Sequence, residues 1–285
     1  MAVTLLRSGP MRKPLGQPTR GKTAPNRLRK TDTFLAVAFP AFVHHLPGLY
    51  VDLGYGAYPV TSKETLYRLR RLNPGLSVLG VEIDPARVAE ALPSVERGLA
   101  FRHGGFDLPL ARGERVGVIR AFNVLRQYDE AAVAGALAAL GAALTEGGLL
   151  VEGTSDPHGR LLAFNLYRKA GTLASAGVVL APRVGADFAP RALRAVLPKA
   201  FIHHAEPAGA IDRFFAAWEA AWQRTRSRSL TPRQRFVAAA RALAEREGYS
   251  LDRREILLKR GFLWLGRSWP ARELDAAQPR VRDSL

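Results

Sequence analysis

Two short stretches carry the residues best suited to chemistry. Asp52-Leu-Gly54-Tyr-Gly56 follows an apolar run, and Glu82 closes the next one. Close-set glycines let a ligand approach the backbone where a Cβ would clash, and they permit positive φ in a tight turn. A carboxylate at the position of Glu82 is placed to accept hydrogen bonds from both hydroxyls of a ribose. A glycine pair alone marks a turn as readily as a site; acids closing two successive runs favour a site. Further candidates stand later in the chain. Asn123, Gln127 and Tyr128 follow another apolar run, and Asp156 and His158 lie in Ser-Asp-Pro-His-Gly, where a side chain can take a proton from an acceptor. Their plain alternatives are a backbone cap for Asn123 and an ordinary loop for Asp156 and His158. His44-His45 and His203-His204 have no accompanying acid cluster, and adjacent histidines point apart, so no metal site is expected. With no cysteine in the chain, disulfides, thiolate zinc sites, iron–sulfur clusters and cysteine nucleophiles are excluded.

The elements that must position these residues follow from the apolar patterning. Residues 33–46 predict a helix broken or kinked at Pro40. Residues 48–54 predict a strand running into the glycines. Thr61 and Glu64 stand at capping-box spacing ahead of a helix through Leu66, Leu69 and Leu72, which Asn73-Pro74-Gly75 closes. A second strand over 76–82 completes a βαβ unit with parallel strands. A helix over 86–92, strands over 99–103 and 115–122, a helix over 130–144 and a strand over 149–152 continue the alternation. The fold class expected is α/β, a doubly wound, mostly parallel Rossmann-like sheet with ligands at the carboxyl ends of its strands. Beyond residue 156, strands over 161–167 and 178–184 and helices over 191–196, 211–224 and 232–247 are expected. A final strand pair over 255–265 and core roles for Trp218, Trp222, Trp264 and Trp269 complete the pattern. Residues 1–30, rich in Pro, Gly and basic side chains and free of acids, read as a flexible basic arm. Residues 31–285 read as the folded domain, with helical and strand additions from about 157.

Over residues 31–156 the chain resembles class I S-adenosylmethionine-dependent methyltransferases, whose first motif is an apolar strand, an acid and a glycine-rich turn. The last position of the dinucleotide pattern Gly-x-Gly-x-x-Gly is Pro59 here, and an acid ahead of the glycines suits an ammonium and sulfonium ligand better than a pyrophosphate. The resemblance implies S-adenosylmethionine as cofactor. Gly54 and Gly56 would lie beneath it, with Asp52 organising the loop and the methionine end. It also implies Glu82 at the ribose, Ile83 beside the adenine, and Phe106 and Asp107 at the base, by stacking and by accepting from the exocyclic amine. Asn123-Val124-Leu125-Arg126-Gln127-Tyr128 resembles the family's fourth motif, and Thr145-Glu146-Gly147-Gly148 its turn before strand five. Asn123 is not followed by Pro-Pro and an aromatic, so the family's amino-methylating arrangement is missing. Without cysteine the covalent route to carbon-5 of cytosine is closed.

A net charge of +17, from 42 basic and 25 acidic residues, creates a field that attracts polyanions, though surface arginines are often merely solvated. Structured RNA is therefore the acceptor slightly favoured, with a small metabolite as the alternative. A basic arm would supply long-range attraction apart from the cofactor site. A nucleic-acid-binding protein of the same fold without turnover is a second class of reading, and a nicotinamide-dependent oxidoreductase a third, disfavoured by Asp52 and Pro59. No apolar run approaches the roughly 20 residues that span a bilayer, and no apolar stretch resembling a secretory signal follows the first basic residues. A cytoplasmic location without membrane insertion is the expectation.

Overall fold

The computed structural model describes residues 14–18, 23–202, 207–227 and 229–270. Eight strands form one sheet in the order β3-β2-β1-β4-β5-β6-β7-β8. They are β1 (Leu49–Leu53), β2 (Val78–Glu82), β3 (Leu99–His103), β4 (Val116–Phe122), β5 (Leu144–Ser155), β6 (Leu161–Ala170), β7 (Thr172–Pro182) and β8 (Leu263–Leu265). The helices are α1 (Arg29–Ala38), α2 (Pro40–His44), α3 (Val60–Leu69), α4 (Pro85–Ala91), α5 (Glu130–Ala143), α6 (Lys199–Ile202), α7 (Ala210–Arg224), α8 (Pro232–Glu245) and α9 (Glu255–Lys259). The strands β1 to β5 pair in parallel, as the β/α alternation requires. From β5 onward the pairing is antiparallel: short turns join β5 to β6 and β6 to β7, and β8, which returns after α6 to α9, pairs with β7. The first five strands follow the doubly wound order, in which the chain reverses direction between β1 and β4 and leaves a crevice at their carboxyl ends.

Helices lie on both faces, so β2 and β4 are buried along their whole length. On one face Phe34 and Leu35 of α1, Leu66 and Leu69 of α3 and Leu257 of α9 pack on Tyr50, Val118, Val151 and Phe164. On the other, Leu140 of α5 and Leu108 of the loop after β3 pack on Val51, Ile119 and Leu150. A third core joins α7 and α8 to the antiparallel strands, with Phe214, Trp218 and Phe236 over Val178, Leu180 and Leu263. Trp222 and Trp269 belong to this core, and Trp264 packs against the first one.

Pro40, lacking an N–H, separates α1 from α2 at the expected break. Three expectations change. Residues 255–265 are not a strand pair: α9 turns Leu257 and Leu258 into different cores, and only β8 extends the sheet. Residues 190–196 wind as a 3-10 helix. The fold also begins ahead of Thr31. Leu28 is buried, Arg27 Nε donates to Ser155 Oγ at 2.9 Å, and Lys30 Nζ donates to the Pro182 carbonyl. Residues 23–30 therefore do not form a free arm. Among the described residues no helix is long and apolar enough to cross a membrane.

Candidate functional site

At the end of β1, Asp52 is nearly fully buried, and both of its carboxylate oxygens are occupied. Oδ1 accepts from Arg120 Nε at 3.0 Å; Oδ2 accepts from Thr61 Oγ1 and Ser62 Oγ, each at 2.8 Å, and lies 2.9 Å from Arg120 Nη2. Arg120, from the middle of β4, has no solvent exposure and also reaches Asp32 Oδ1 at 2.8 Å; Arg68 pairs with Asp32 Oδ2 at 3.0 Å. Burial opposes the Arg120 charge, but the facing carboxylates Asp52 and Asp32 hold the guanidinium above its ordinary value. Burial likewise raises Asp32 against the pull of Arg120 and Arg68. Asp52 thus ties the start of the glycine turn to α3, as a loop organiser. Its charge is matched inside the protein, so it neither attracts a ligand ammonium strongly nor repels a pyrophosphate. Thr61 serves this network rather than capping α3, and Glu64 accepts instead from the Asn26 N–H at 2.8 Å. Arg120 was not singled out from sequence; a lone charge inside an otherwise apolar strand is the signal that marks it.

The glycine turn is held by the second acid. Gly54 has φ of 70° and Gly56 of 84°, conformations that side chains resist. Glu82, buried at the end of β2, accepts from the Gly56 N–H at 2.9 Å through Oε2, and from the N–H groups of Ile83 at 3.0 Å and Asp84 at 3.3 Å through Oε1. Arg87 approaches Oε1 at 3.8 Å. A carboxylate offers about four acceptor positions. Three are filled by the backbone, which leaves about one unused.

A cleft of about 260 Å³ opens here, lined by Gly54, Glu82, Ile83, Phe106 and Tyr128 and by residues 15–17. The Phe106 and Tyr128 rings meet edge to face at 5.3 Å. Asp107 Oδ1 accepts from the Leu15 N–H at 3.0 Å, and the Phe106 N–H donates to the Leu15 carbonyl at 2.9 Å. The Gln17 N–H donates to the Tyr128 hydroxyl, and Gln127 Nε2 donates to the Gln17 carbonyl at 3.1 Å. Residues 15–17, expected as part of a separate arm, form one wall of that cleft.

A second cavity of about 290 Å³ shares Leu53 and Gly54 with the first and is lined by Thr23, Arg27, Asp52, Thr61, Phe122 and Asn123. Asn123 ends β4 at φ of 59°, a left-handed conformation asparagine tolerates. Its side chain accepts from the Ser155 N–H at 3.1 Å and donates to Ser155 Oγ at 3.3 Å, fixing the end of β5. Asp156 Oδ1 accepts from the Leu161 N–H at 2.8 Å, closing the β5–β6 turn. The exposed His158 sits on that turn. Asn123 and Asp156 thus have structural bonds, and of the proton-transfer candidates Tyr128 alone lines the first cleft. Farther along β5, burial pushes the Glu152 carboxyl up to about 7 against a hydrogen bond from Asn165 at 2.8 Å. His44 and His45 lie exposed at the end of α2, their rings 4.3 Å apart. Among the described residues no group of three histidines or acids is placed to hold a metal, and His203 and His204 lie outside those residues.

No family model matches the chain, and no curated protein does. Solved structures with similar parts include an S-adenosylmethionine-dependent methyltransferase from Mesorhizobium loti, at 21% identity and TM-score 0.30 over 42% of this chain and 54% of that one. Another is the S-adenosylmethionine-bound amino pentose methyltransferase CalS10 from Micromonospora echinaspora, at 17% identity and TM-score 0.33 over 56% of this chain and 69% of that one. Human N-acetylserotonin methyltransferase in complex with S-adenosylmethionine matches at 18% identity and TM-score 0.30, over 44% of this chain and 36% of that one. Likenesses this low add nothing to the strand order itself, which shows a doubly wound α/β sheet with an antiparallel extension.

Proposed function

We propose that this chain is a class I S-adenosylmethionine-dependent methyltransferase. The observation that carries the reading is the pair of cavities meeting at Gly54, at the switch point of the sheet. One has the features a nucleoside needs: a positive-φ glycine turn, the remaining acceptor position of Glu82, the Ile83 and Phe106 side chains, and the Asp107 carboxylate. The other, between Thr61, Arg27 and Asn123, would take the amino-acid end. With Asp52 neutralised by Arg120, the argument against a nicotinamide dinucleotide rests on Pro59. It stands at the N-cap of α3 where a pyrophosphate needs a close glycine and free N–H groups, and it provides neither.

When bound, the cofactor supplies a methyl group on an already activated sulfonium. The protein's part is then binding, orientation and exclusion of water. Asn123 and Asp156 hold strand ends rather than take protons, which fits alignment without a dedicated base. Structured RNA is the acceptor favoured in this reading, because the chain carries a net charge of +17 and Arg29 at the start of α1, Arg160 after β5 and Arg183 after β7 are exposed. A small metabolite is the alternative, and a cytoplasmic location goes with either. The test is transfer of labelled methyl groups into fractionated cellular RNA, protein and metabolites, with Gly56→Val as control. Label in RNA supports the favoured acceptor, and label in metabolites the alternative. Folded protein that binds RNA, binds no cofactor and transfers no label would make it a non-catalytic nucleic-acid-binding protein.

A further inference from the structure

We infer that residues 15–17 are a built-in competitor for the base end of the cofactor site, an autoinhibitory strap that must leave before an adenine can enter. This rests on the proposed function. The edge of an adenine presents an amine donor beside a ring-nitrogen acceptor. Leu15 presents the same pair from its backbone: its N–H is accepted by Asp107 Oδ1 at 3.0 Å, and its carbonyl accepts from the Phe106 N–H at 2.9 Å. The acceptor and donor at the end of β3 are thereby both satisfied by one residue of the chain.

The seat is shaped for backbone. A Cβ on Gly105 would stand 1.9 Å from the Leu15 carbonyl oxygen, so only glycine permits this approach. Gly16 has φ of 138°, and a Cβ on it would lie 3.1 Å from the Tyr128 hydroxyl and 3.2 Å from Ile83 Cδ1. The strap therefore lies on Ile83, Phe106, Asp107 and Tyr128, the residues that would flank a base. Strap and base cannot occupy these positions together. The Leu15 side chain is more than half exposed, so the strap is held by polar backbone contacts at the rim rather than by apolar burial. That makes it releasable. A ligand that binds only the open form has its apparent affinity reduced by the open fraction.

The experiment is titration of adenosine and of adenosylmethionine into the full-length protein and its Gly16→Val variant, whose branched side chain collides with Tyr128 and Ile83 and strains the strap. Both ligands should bind the variant roughly tenfold more tightly if the strap is shut about nine-tenths of the time. Hydrogen exchange gives an independent readout: the Leu15 amide should be protected in the ligand-free protein and lose that protection when adenosine saturates it. Equal affinities overturn the strap while leaving the proposed function standing. Weaker binding by the variant overturns it in favour of a cover that closes over the ligand. A Leu15 amide that stays protected at saturation also overturns it. Failure of both ligands to bind either protein overturns the strap and the proposed function together.

Discussion

Replacing Arg120 by Met should cost more stability than any other single change at the site. Arg120 is fully buried, and its guanidinium meets Asp52 at 2.9 and 3.0 Å and Asp32 at 2.8 Å. Asp32 would keep Arg68 at 3.0 Å, but Asp52 would retain only two hydroxyl donors. The loss is therefore that of a buried pair broken on one side, about 3–5 kcal/mol, against a total stability on the order of 5–15 kcal/mol. With a urea dependence of about 3 kcal/mol per molar, the unfolding midpoint should fall by about 1–1.7 M, read by circular dichroism. Adding Asp52→Asn to the variant should recover part of the loss, because the stranded charge is removed. A midpoint shifted by less than about 0.3 M, or a double variant weaker than the single one by the full cost of a second independent change, would refute this account of the network.

Gly54→Val and Gly56→Val should each abolish adenosylmethionine binding in folded protein, since a β-branched residue resists the positive φ these turns require; calorimetry checks it. Glu82→Ala should weaken binding by about 1.5–3 kcal/mol, roughly tenfold or more, through loss of a charge-assisted bond to the ligand and of the Gly56 tether. Glu152 predicts a pH dependence. Its carboxyl is raised from 4.5 to about 7, so the folded state binds more protons than the unfolded state between those values, and stability falls as pH rises from about 4.5 to 7. A shift of that size corresponds to about 3 kcal/mol, and Glu152→Gln should remove the slope in urea unfolding measured across that range.

The parallel half of the sheet was legible because its signals are local. Apolar runs ended by Asp52 and Glu82, glycines in the turn between, and helical periods separating the runs each occur within a few residues. The same locality explains what was missed. Leu15 meets Asp107 and Gln17 meets Tyr128 across about a hundred residues of chain, and nothing in a Pro- and Gly-rich stretch announces such a contact. Asp52 was expected partly as a charge for the ligand because its neutraliser, Arg120, lies on a strand that becomes its neighbour only in the fold. Thr61 and Glu64 have capping-box spacing, yet Asp52 on β1 and the Asn26 N–H claimed their side chains. Residues 255–265 contain enough large apolar residues for either a strand or a helix; packing between two cores winds Glu255–Lys259 into α9, and only Leu263–Leu265 is strand.

Whether the crevice at Gly54 binds adenosylmethionine is read by calorimetric titration of the full-length protein with adenosylmethionine, its demethylated product and nicotinamide adenine dinucleotide in parallel. The first two should bind saturably and one-to-one, with binding lost in Gly56→Val, and the dinucleotide should not bind. Binding of the dinucleotide without adenosylmethionine, or adenosylmethionine binding that persists unchanged in Gly56→Val, would contradict this assignment.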